Sequence, residues 1–211
     1  MRADPTDQPQ ERDLTIRQAI AACSRRQSVR VTKEPDSRWV SSLEDGIMTE
    51  RLVLRPLRPE DADNMVDVLA DERLHEFIGG RPANLDDLRD RYRRLAAGTS
   101  EANEEWLNWI ASRRSDAQPV GTVQATLTND QGRWTAQVAW VIGVAFQRQG
   151  FGSEAARALV EWLQRRGAAT VVANIHPDHR ASAVVAIRAG LLPTPEEVDG
   201  EQVWRAMATS S

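Results

Sequence analysis

The sequence predicts a single α/β domain in which a mixed, mostly antiparallel sheet is flanked by helices. Strand-like and helix-like segments alternate from Arg51 to the C-terminus, which is typical of a sheet covered by helices. Two neighbouring strands are joined by a short turn at residues 129–132 with the composition of a hairpin. A glycine-rich turn then connects the strand Trp134–Val144 to the helix Ser153–Arg166 and completes the pattern.

The first elements of this domain are a strand and two helices. From Arg51 onward, Leu52, Leu54 and Leu57 contrast with Val53 and Arg55, as expected for a partly buried strand. Pro59 and the two acidic residues after it mark a helix start, because proline fits a first turn and acids favour its positive end. Two helices follow, at Asp63–Ala70 and Asp86–Ala97.

Three strands come next, at Trp106–Ala111, Val120–Thr128 and Trp134–Val144. Trp106 and Trp109 lie three residues apart on one strand, so their side chains must point to opposite faces of the sheet. Core or interface packing is the expected role of both, and lining a substrate cleft is the alternative for one of them.

The helix after the glycine turn is amphipathic. Its apolar residues recur at helical spacing: Ala156, Leu159, Val160 and Leu163. Gly167 supplies a C-terminal stop. The remaining predicted elements are the strand Thr170–His176, the helix Ala181–Ala189 and the closing strand Gln202–Ala208.

The chain divides near Gly46. Its 211 residues suffice for one domain of about 150 residues plus an appendage. Residues 1–46 are polar and proline-containing, with helical spacing only at Leu14–Cys23, and residues 47–211 form the domain. We expect the extension to be dispensable for the fold and for ligand binding. The alternative is that Leu14–Cys23 docks on the domain or on a partner subunit.

Charge and composition exclude several classes of protein. A net charge of −4 argues against a nucleic-acid binder. No apolar run approaches the roughly 18 residues of a membrane span, and the N-terminus is too polar for a secretory signal. The single cysteine, Cys23, cannot form an internal disulfide. We therefore expect a cytoplasmic protein without membrane or nucleic-acid partners and without a metal.

The glycine-rich turn predicts a phosphate site. Gly150 and Gly152 let the backbone approach an anion closely, and successive N–H groups and the start of the next helix can point at it. The segment Gly150–Ala155 also matches the dinucleotide pattern G-x-G-x-x-G/A. A dinucleotide-binding fold is disfavoured, because it needs several βα units after this turn and only the segment Gly167–Ser211 remains for them. The acid that would bind the ribose is also missing. A pyrophosphate-bearing cofactor is therefore expected.

These elements together resemble the GCN5-related N-acetyltransferase superfamily, and within it the ribosomal-protein N-terminal acetyltransferase group. The likeness runs from Thr49 to the C-terminus through the opening strand, the strand ending Val138-Ala-Trp-Val-Ile142, the signature Q/R-x-x-G-x-G/A at 147–152, and a segment similar to the N-x-x-S helix start at 176–182. The chain departs from the family at three positions, where the family usually has Asn, Phe and an acid: His179, Leu191 and Gln137. The resemblance implies an acetyltransferase-type domain that binds acetyl-CoA.

The resemblance also assigns the coenzyme-binding residues. The glycine turn and the start of its helix are implied to hold the pyrophosphate: Gln147, Arg148, Gln149, Gly150, Phe151, Gly152 and Ser153. The strand end is implied to bond the pantetheine amides and to polarise the thioester carbonyl: Ile142, Gly143 and Val144. His179 either contacts the coenzyme as the family's Asn does, or only caps the next helix.

Ser182 is the candidate catalytic residue, because it matches the serine of the N-x-x-S element and would donate a proton to the leaving thiolate. A serine in a first helical turn more simply bonds free backbone N–H groups, which is the alternative. Glu196 and Glu197 follow Gly190 in a proline-rich segment interpreted as a loop, where they are candidate general bases or merely solvated acids. Water is the other route for the proton.

The sequence therefore predicts an acetyl-CoA-dependent N-acetyltransferase that acts by direct transfer in a ternary complex. Its acceptor would be a primary amine, on a protein N-terminus or a small molecule, and the protein would be a monomer or homodimer. A non-catalytic acyl-CoA-binding regulatory module is the alternative, favoured by Gln137. A purely structural module is disfavoured by the glycine turn.

Overall fold

The computed structural model of the protein describes Trp39 and residues 46–207. The predicted helix at Leu14–Cys23 lies outside the described residues. Within them, one eight-stranded sheet has the order β1-β2-β3-β4-β5-β6-β8-β7. Its strands are β1 (Ile47–Met48), β2 (Leu52–Pro56), β3 (Glu104–Arg113), β4 (Pro119–Asp130), β5 (Arg133–Ile142), β6 (Ala168–Ile175), β7 (Leu192–Val198) and β8 (Glu201–Met207).

Helices cover both faces of this sheet. They are α1 (Ala62–Val68), α2 (His75–Ile78), α3 (Leu85–Ala97), α4 (Phe151–Arg165) and α5 (Arg180–Arg188). Trp109 and Ile110 are neighbours on β3 and point to opposite faces, so each belongs to a different hydrophobic cluster. Ile110 packs with α1 and α3, whereas Trp109 packs with α4 in the larger cluster.

The predicted fold class is confirmed. Neighbouring strands pair antiparallel everywhere except between β5 and β6, which are parallel and joined through α4. The predicted hairpin joins β4 to β5, and its two central residues, Gln131 and Gly132, have φ angles of 49° and 85°. Two positive φ angles are the requirement of the tight turns that suit twisted strands.

Strand β7 corrects the sequence interpretation, which placed its acidic residues in a loop. Glu196 and Glu197 lie within this strand, and Glu197 pairs with Gln202 of β8. Prolines at positions 193 and 195 suggested a loop because proline cannot donate to a strand ladder. They are tolerated here because β7 is the edge strand of the sheet.

Trp39 precedes the predicted domain boundary at Gly46 and is nevertheless fully buried. Its ring lies 5.8 Å from the ring of Trp134 and 6.1 Å from that of Trp162. Trp162 in turn meets Trp109 edge to face, so the four indoles form one connected group in the core under α4. Trp39 therefore gives the N-terminal extension a share in the core, which speaks against its being dispensable for stability.

The parallel pair β5 and β6 separates halfway along its length. Their pairing begins at Trp134 opposite Ala168 and ends at Gln137 opposite Val172. Beyond that point β5 continues to Ile142 beside β4 alone, and β6 continues to Ile175 beside β8 alone. The sheet is thus open between the C-terminal halves of these two strands, a gap that we call the split.

Candidate active site

The glycine turn joins the end of β5 to the start of α4, where the sequence predicted an anion site. Arg148 has a φ angle of 61° and Gly150 one of 85°, and α4 begins at Phe151. The side-chain amide of Gln147 donates to the carbonyl oxygen of Ile142 at 3.0 Å, and that of Gln149 to Ala145 at 3.1 Å. These bonds hold the turn against the strand, so the free N–H groups of the helix start have a fixed direction.

Gly152 lies where three elements meet. A Cβ atom added to it would stand 3.4 Å from Ile142 at the end of β5 and 3.4 Å from Val185 of α5. A larger side chain would therefore push α4 away from both neighbours. A single methyl group would just fit at this position, so packing limits the residue to a small side chain before any ligand is considered.

The end of β5 offers its backbone to the split. The N–H of Gly143 donates to Val120 of β4 at 2.9 Å, and ladder bonds alternate in direction along an antiparallel strand. The N–H of Ile142 is therefore directed away from β4, toward the split.

Gly143 contributes close packing rather than a donor. Its N–H is occupied by β4, and its carbonyl accepts the N–H of Phe146 at 2.8 Å. A Cβ atom on Gly143 would lie 2.8 Å from the carbonyl oxygen of Val68, the last residue of α1. Val144 opens the short 3-10 turn Val144–Phe146 that leads into the glycine turn.

A clasp that the sequence did not reveal fixes α4 to the strand region before it. Glu154, in the first turn of α4, accepts hydrogen bonds from the Thr49 hydroxyl at 2.6 Å, the Arg51 N–H at 2.8 Å and the Arg51 guanidinium at 2.7 Å. Burial raises the pKa of this carboxyl, but the hydrogen bonds from Thr49 and Arg51 lower the pKa by more, so that it lies below its ordinary value. Arg51 also donates to the carbonyl of Gln149 and lies 4.8 Å above the ring of Phe151.

A groove of about 710 Å³ runs along the outer face of α4 from this clasp. Three arginines contribute to its lining together with Ser153: Arg51, Arg157 and Arg188. Arg157 is partly engaged with Glu161 at 2.8 Å. Three glutamates line the same groove, Glu50, Glu154 and Glu161, so the formal charges of its lining balance.

Ser182 and His179 lie in the first turn of α5 and at its N-terminal boundary. Among the residues that the structure describes, the Ser182 hydroxyl makes no hydrogen bond, and the His179 side chain does not cap the helix. The imidazole of His179 instead stacks on Phe77 of α2, with ring centroids 4.3 Å apart and an interplanar angle of 8°. This contact joins segments about a hundred residues apart and has no signature in the sequence.

One of the two acidic candidates for a general base is already engaged. Glu196 forms an ion pair with Arg205 at 2.7 Å. Gln137 lies at the last paired position before the split, opposite Val172. Its amide cannot accept a proton at neutral pH as a carboxylate in that place could.

The sheet face under α1 and α3 is polar near the split. Residues opposite one another in a ladder share a face, and two such pairs are Asn108 with Gln124 and Thr126 with Gln137. Trp106 pairs with Thr126 and is half-buried on this face, whereas Trp109 is fully buried on the other. The expectation that the two tryptophans point to opposite faces is confirmed.

The chain belongs to the acetyltransferases of the GNAT family, since the family model described as an acetyltransferase (GNAT) domain matches residues 51–192. Comparison of the sequence with curated proteins finds no match.

Solved structures share the fold. The chain is similar to a GNAT-family acetyltransferase from Bacillus anthracis, with a TM-score of 0.61 and 18% identity over 77% of this chain and 98% of the other. It is similar to the ribosomal-protein acetyltransferase RimL solved with coenzyme A, with a TM-score of 0.63 and 16% identity over 75% and 95% of the two chains. It is also similar to an aminoglycoside acetyltransferase solved with coenzyme A, with a TM-score of 0.60 and 18% identity over 74% of this chain and 94% of the other.

The residues present fit an acyl-coenzyme A. A pantetheine arm needs strand-like partners, and a pyrophosphate needs converging N–H groups. The open edge of β5 at Ile142 meets the first need, and the start of α4 beyond Gly150 meets the second. No set of three or more potential metal ligands is assembled in the described part of the chain. Nor does any helix there have the length and hydrophobicity of a bilayer crossing.

Proposed function

We propose that this protein transfers the acetyl group of acetyl-CoA to a primary amine, on a protein N-terminus or a small molecule, by direct transfer in a ternary complex. The observation that carries the proposal is the split between β5 and β6, which opens beside the N-terminus of α4. One opening in the sheet thereby offers strand edges and an anion site to the same ligand. We further propose that the protein acts as a monomer or homodimer in the cytoplasm.

Each part of the coenzyme would have its own partner in the chain. The pyrophosphate would lie on the helix start and glycine turn (Gln147, Arg148, Gln149, Gly150, Phe151, Gly152 and Ser153), and the pantetheine arm along the end of β5. Acetyl-CoA supplies an activated acetyl thioester. The N–H of Ile142, directed toward the split, is the donor placed to polarise a carbonyl there, an effect worth roughly 3 kcal/mol in other acyl transfers.

Direct transfer is supported by the lack of a thiol nucleophile. The only cysteine of the sequence is Cys23, in the N-terminal extension. Ser182 is proposed to donate a proton to the departing thiolate, since its hydroxyl has no competing partner within residues 46–207. The acceptor would approach from the polar sheet face that includes Gln124 and Gln137.

The test is incubation of the full chain with acetyl-CoA and a panel of amines, with release of free coenzyme thiol as the readout. The panel contains peptides with free N-termini, aminoglycosides and simple polyamines, each paired with its N-acetylated form as a blank. Amine-dependent thiol release supports the proposal, and the responding class identifies the acceptor. Tight binding of acetyl-CoA by calorimetry without any amine-dependent release would instead favour the regulatory module.

A further inference from the structure

One stretch of chain, residues 68–77, crosses the open end of the split. At its start Val68 packs against Gly143, the residue that follows β5. At its end Phe77 stacks on His179, in the loop that follows β6. The stretch therefore runs from one wall of the split to the other, and it brings His179 to the opening where an acceptor would meet the thioester.

The His179 imidazole is available for chemistry. Neither ring nitrogen has a hydrogen-bond partner within the described residues, although the ring is half-buried beneath Phe77. Burial lowers the pKa of His179, Glu76 of α2 opposes that shift by its negative charge, and His176 in the same loop adds to the shift. The net pKa lies below the ordinary value, so the ring is neutral at pH 7 and has a free lone pair.

Three other candidate groups are an amide or are already engaged by arginine or threonine. The Gln137 side chain is an amide, Glu196 is paired with Arg205, and Glu154 is held by Thr49 and Arg51. Glu201 of β8 interacts with His176, and burial raises its pKa. An amine acceptor is an ammonium ion at neutral pH and must lose a proton before it can attack a carbonyl.

We propose that His179 is the general base of this protein, with Phe77 as the residue that positions its ring. The proposal rests on the acetyl transfer proposed above. One proton passes from the acceptor's ammonium nitrogen to a ring nitrogen of His179, which leaves a neutral amine with its lone pair free and an imidazolium that returns the proton to water. This assigns His179 a different role from the coenzyme contact that the family resemblance implied.

The substitution His179→Asn tests this, because asparagine is the residue that the family often has there and should preserve the loop. We expect acetyl-CoA affinity to be retained and kcat/KM for the amine to fall about 100-fold or more. The wild-type rate should fall as pH drops through the His179 pKa, below the ordinary value of 6.5, because protonation removes the base. The variant should lack this dependence and should be partly rescued by added imidazole.

The matched control is His176→Asn, in the same loop and also near Phe77, with ring centroids 5.6 Å apart. It should keep the rate at neutral pH, and the pH dependence should remain but move slightly upward, because the contribution of His176 to the His179 pKa is lost. A measurement that needs no activity is NMR titration of the three histidine rings in the free chain, assigned through the single variants. His179 should titrate below its ordinary pKa, and Phe77→Leu should move that pKa upward by exposing the ring.

Three outcomes would overturn the proposal. His179→Asn could turn over at the wild-type rate with an unchanged pH profile. His176→Asn could instead be the variant that loses the rate. The His179 ring could titrate at or above its ordinary pKa in the free chain. A wild-type chain that binds acetyl-CoA but acetylates no amine would overturn the proposed acetyl transfer itself. Each of the three outcomes above can occur while the wild-type chain still acetylates amines, so failure of the general base is distinguishable from failure of the proposed function.

Discussion

At the scale of single residues, Gly150 has a conformation and a position that can be tested separately. Its φ angle of 85° strains any other residue, and it adjoins the proposed pyrophosphate site. Gly150→Val should abolish measurable acetyl-CoA binding in calorimetry while the protein stays folded. Gly98→Val is the control, because Gly98 has a similar φ of 75° with open space around it, far from the glycine turn in sequence. If both variants lose affinity equally, strain and not the lost site is responsible.

Ser182 has two candidate roles, proton donation to the leaving thiolate and capping of α5. Its hydroxyl has no hydrogen bond among the described residues, so Ser182→Ala should leave the melting temperature unchanged. If the hydroxyl protonates the thiolate, kcat should fall about 100-fold with little change in acetyl-CoA affinity. Ser182→Thr keeps a hydroxyl and should retain most of the rate. A drop in stability with normal turnover per folded molecule would favour capping.

At the scale of elements, the clasp on Glu154 should stabilise the attachment of α4. Glu154→Gln removes a charge that accepts bonds from Thr49 and Arg51, and should cost about 1–2 kcal/mol after allowance for the exposed arginine. Glu161→Gln, on the same helix, breaks an exposed pair with Arg157 and should cost less than about 0.5 kcal/mol. Urea unfolding of both variants measures the difference.

The clasp also has a pH dependence of defined sign. The folded-state pKa of Glu154 lies below its unfolded value, so its contribution is complete above the unfolded pKa and is lost as pH falls through the folded one. The stability difference between wild type and Glu154→Gln should therefore shrink in acid. A difference that stays constant across that range would contradict the assignment.

Elements with a strong local pattern could be predicted from the sequence, and those defined by distant partners could not. Helix α4 was expected at Ser153–Arg166 and lies at Phe151–Arg165, because its apolar stripe and following glycine are local signals. Strand β7 was missed, since two prolines oppose a strand unless it lies at an edge. The glycine turn is predicted from its two glycines and its position between a strand and a helix, whereas the clasp on Glu154 joins residues about a hundred positions apart.

At the scale of the whole molecule, we propose from the burial of Trp39 that the folded unit extends before the expected start at residue 47. Trp39→Ala should cost about 3–5 kcal/mol, as for other buried large-to-small changes, which corresponds to roughly 10 °C in a domain of this size. A chain beginning at Met48 should show the same loss, and one beginning at Ser37 should not. Acetyl-CoA affinity should be equal in all of them at a temperature where each is folded. Equal melting temperatures would show that residues 1–46 are dispensable after all.

The features of the whole molecule that could not be predicted from the sequence depend on contacts between distant residues. A single tryptophan in a polar segment belongs to no periodic pattern from which its burial could be predicted. Trp39 is buried because it packs against Trp134 and Trp162, which are distant in sequence. The same holds for Phe77, whose neighbour His179 was predicted only as a helix boundary or coenzyme contact. Local propensity places elements, and tertiary packing decides which of their side chains meet.

The split gives the two proposed substrates separate entrances. Helix α4 and its groove lie on one face of the sheet, and the polar face with Gln124 and Gln137 lies on the other. A long, narrow coenzyme threaded through the opening would reach the second face only with its acyl end. Neither substrate would then obstruct the passage of the other, so access alone imposes no order on arrival or departure.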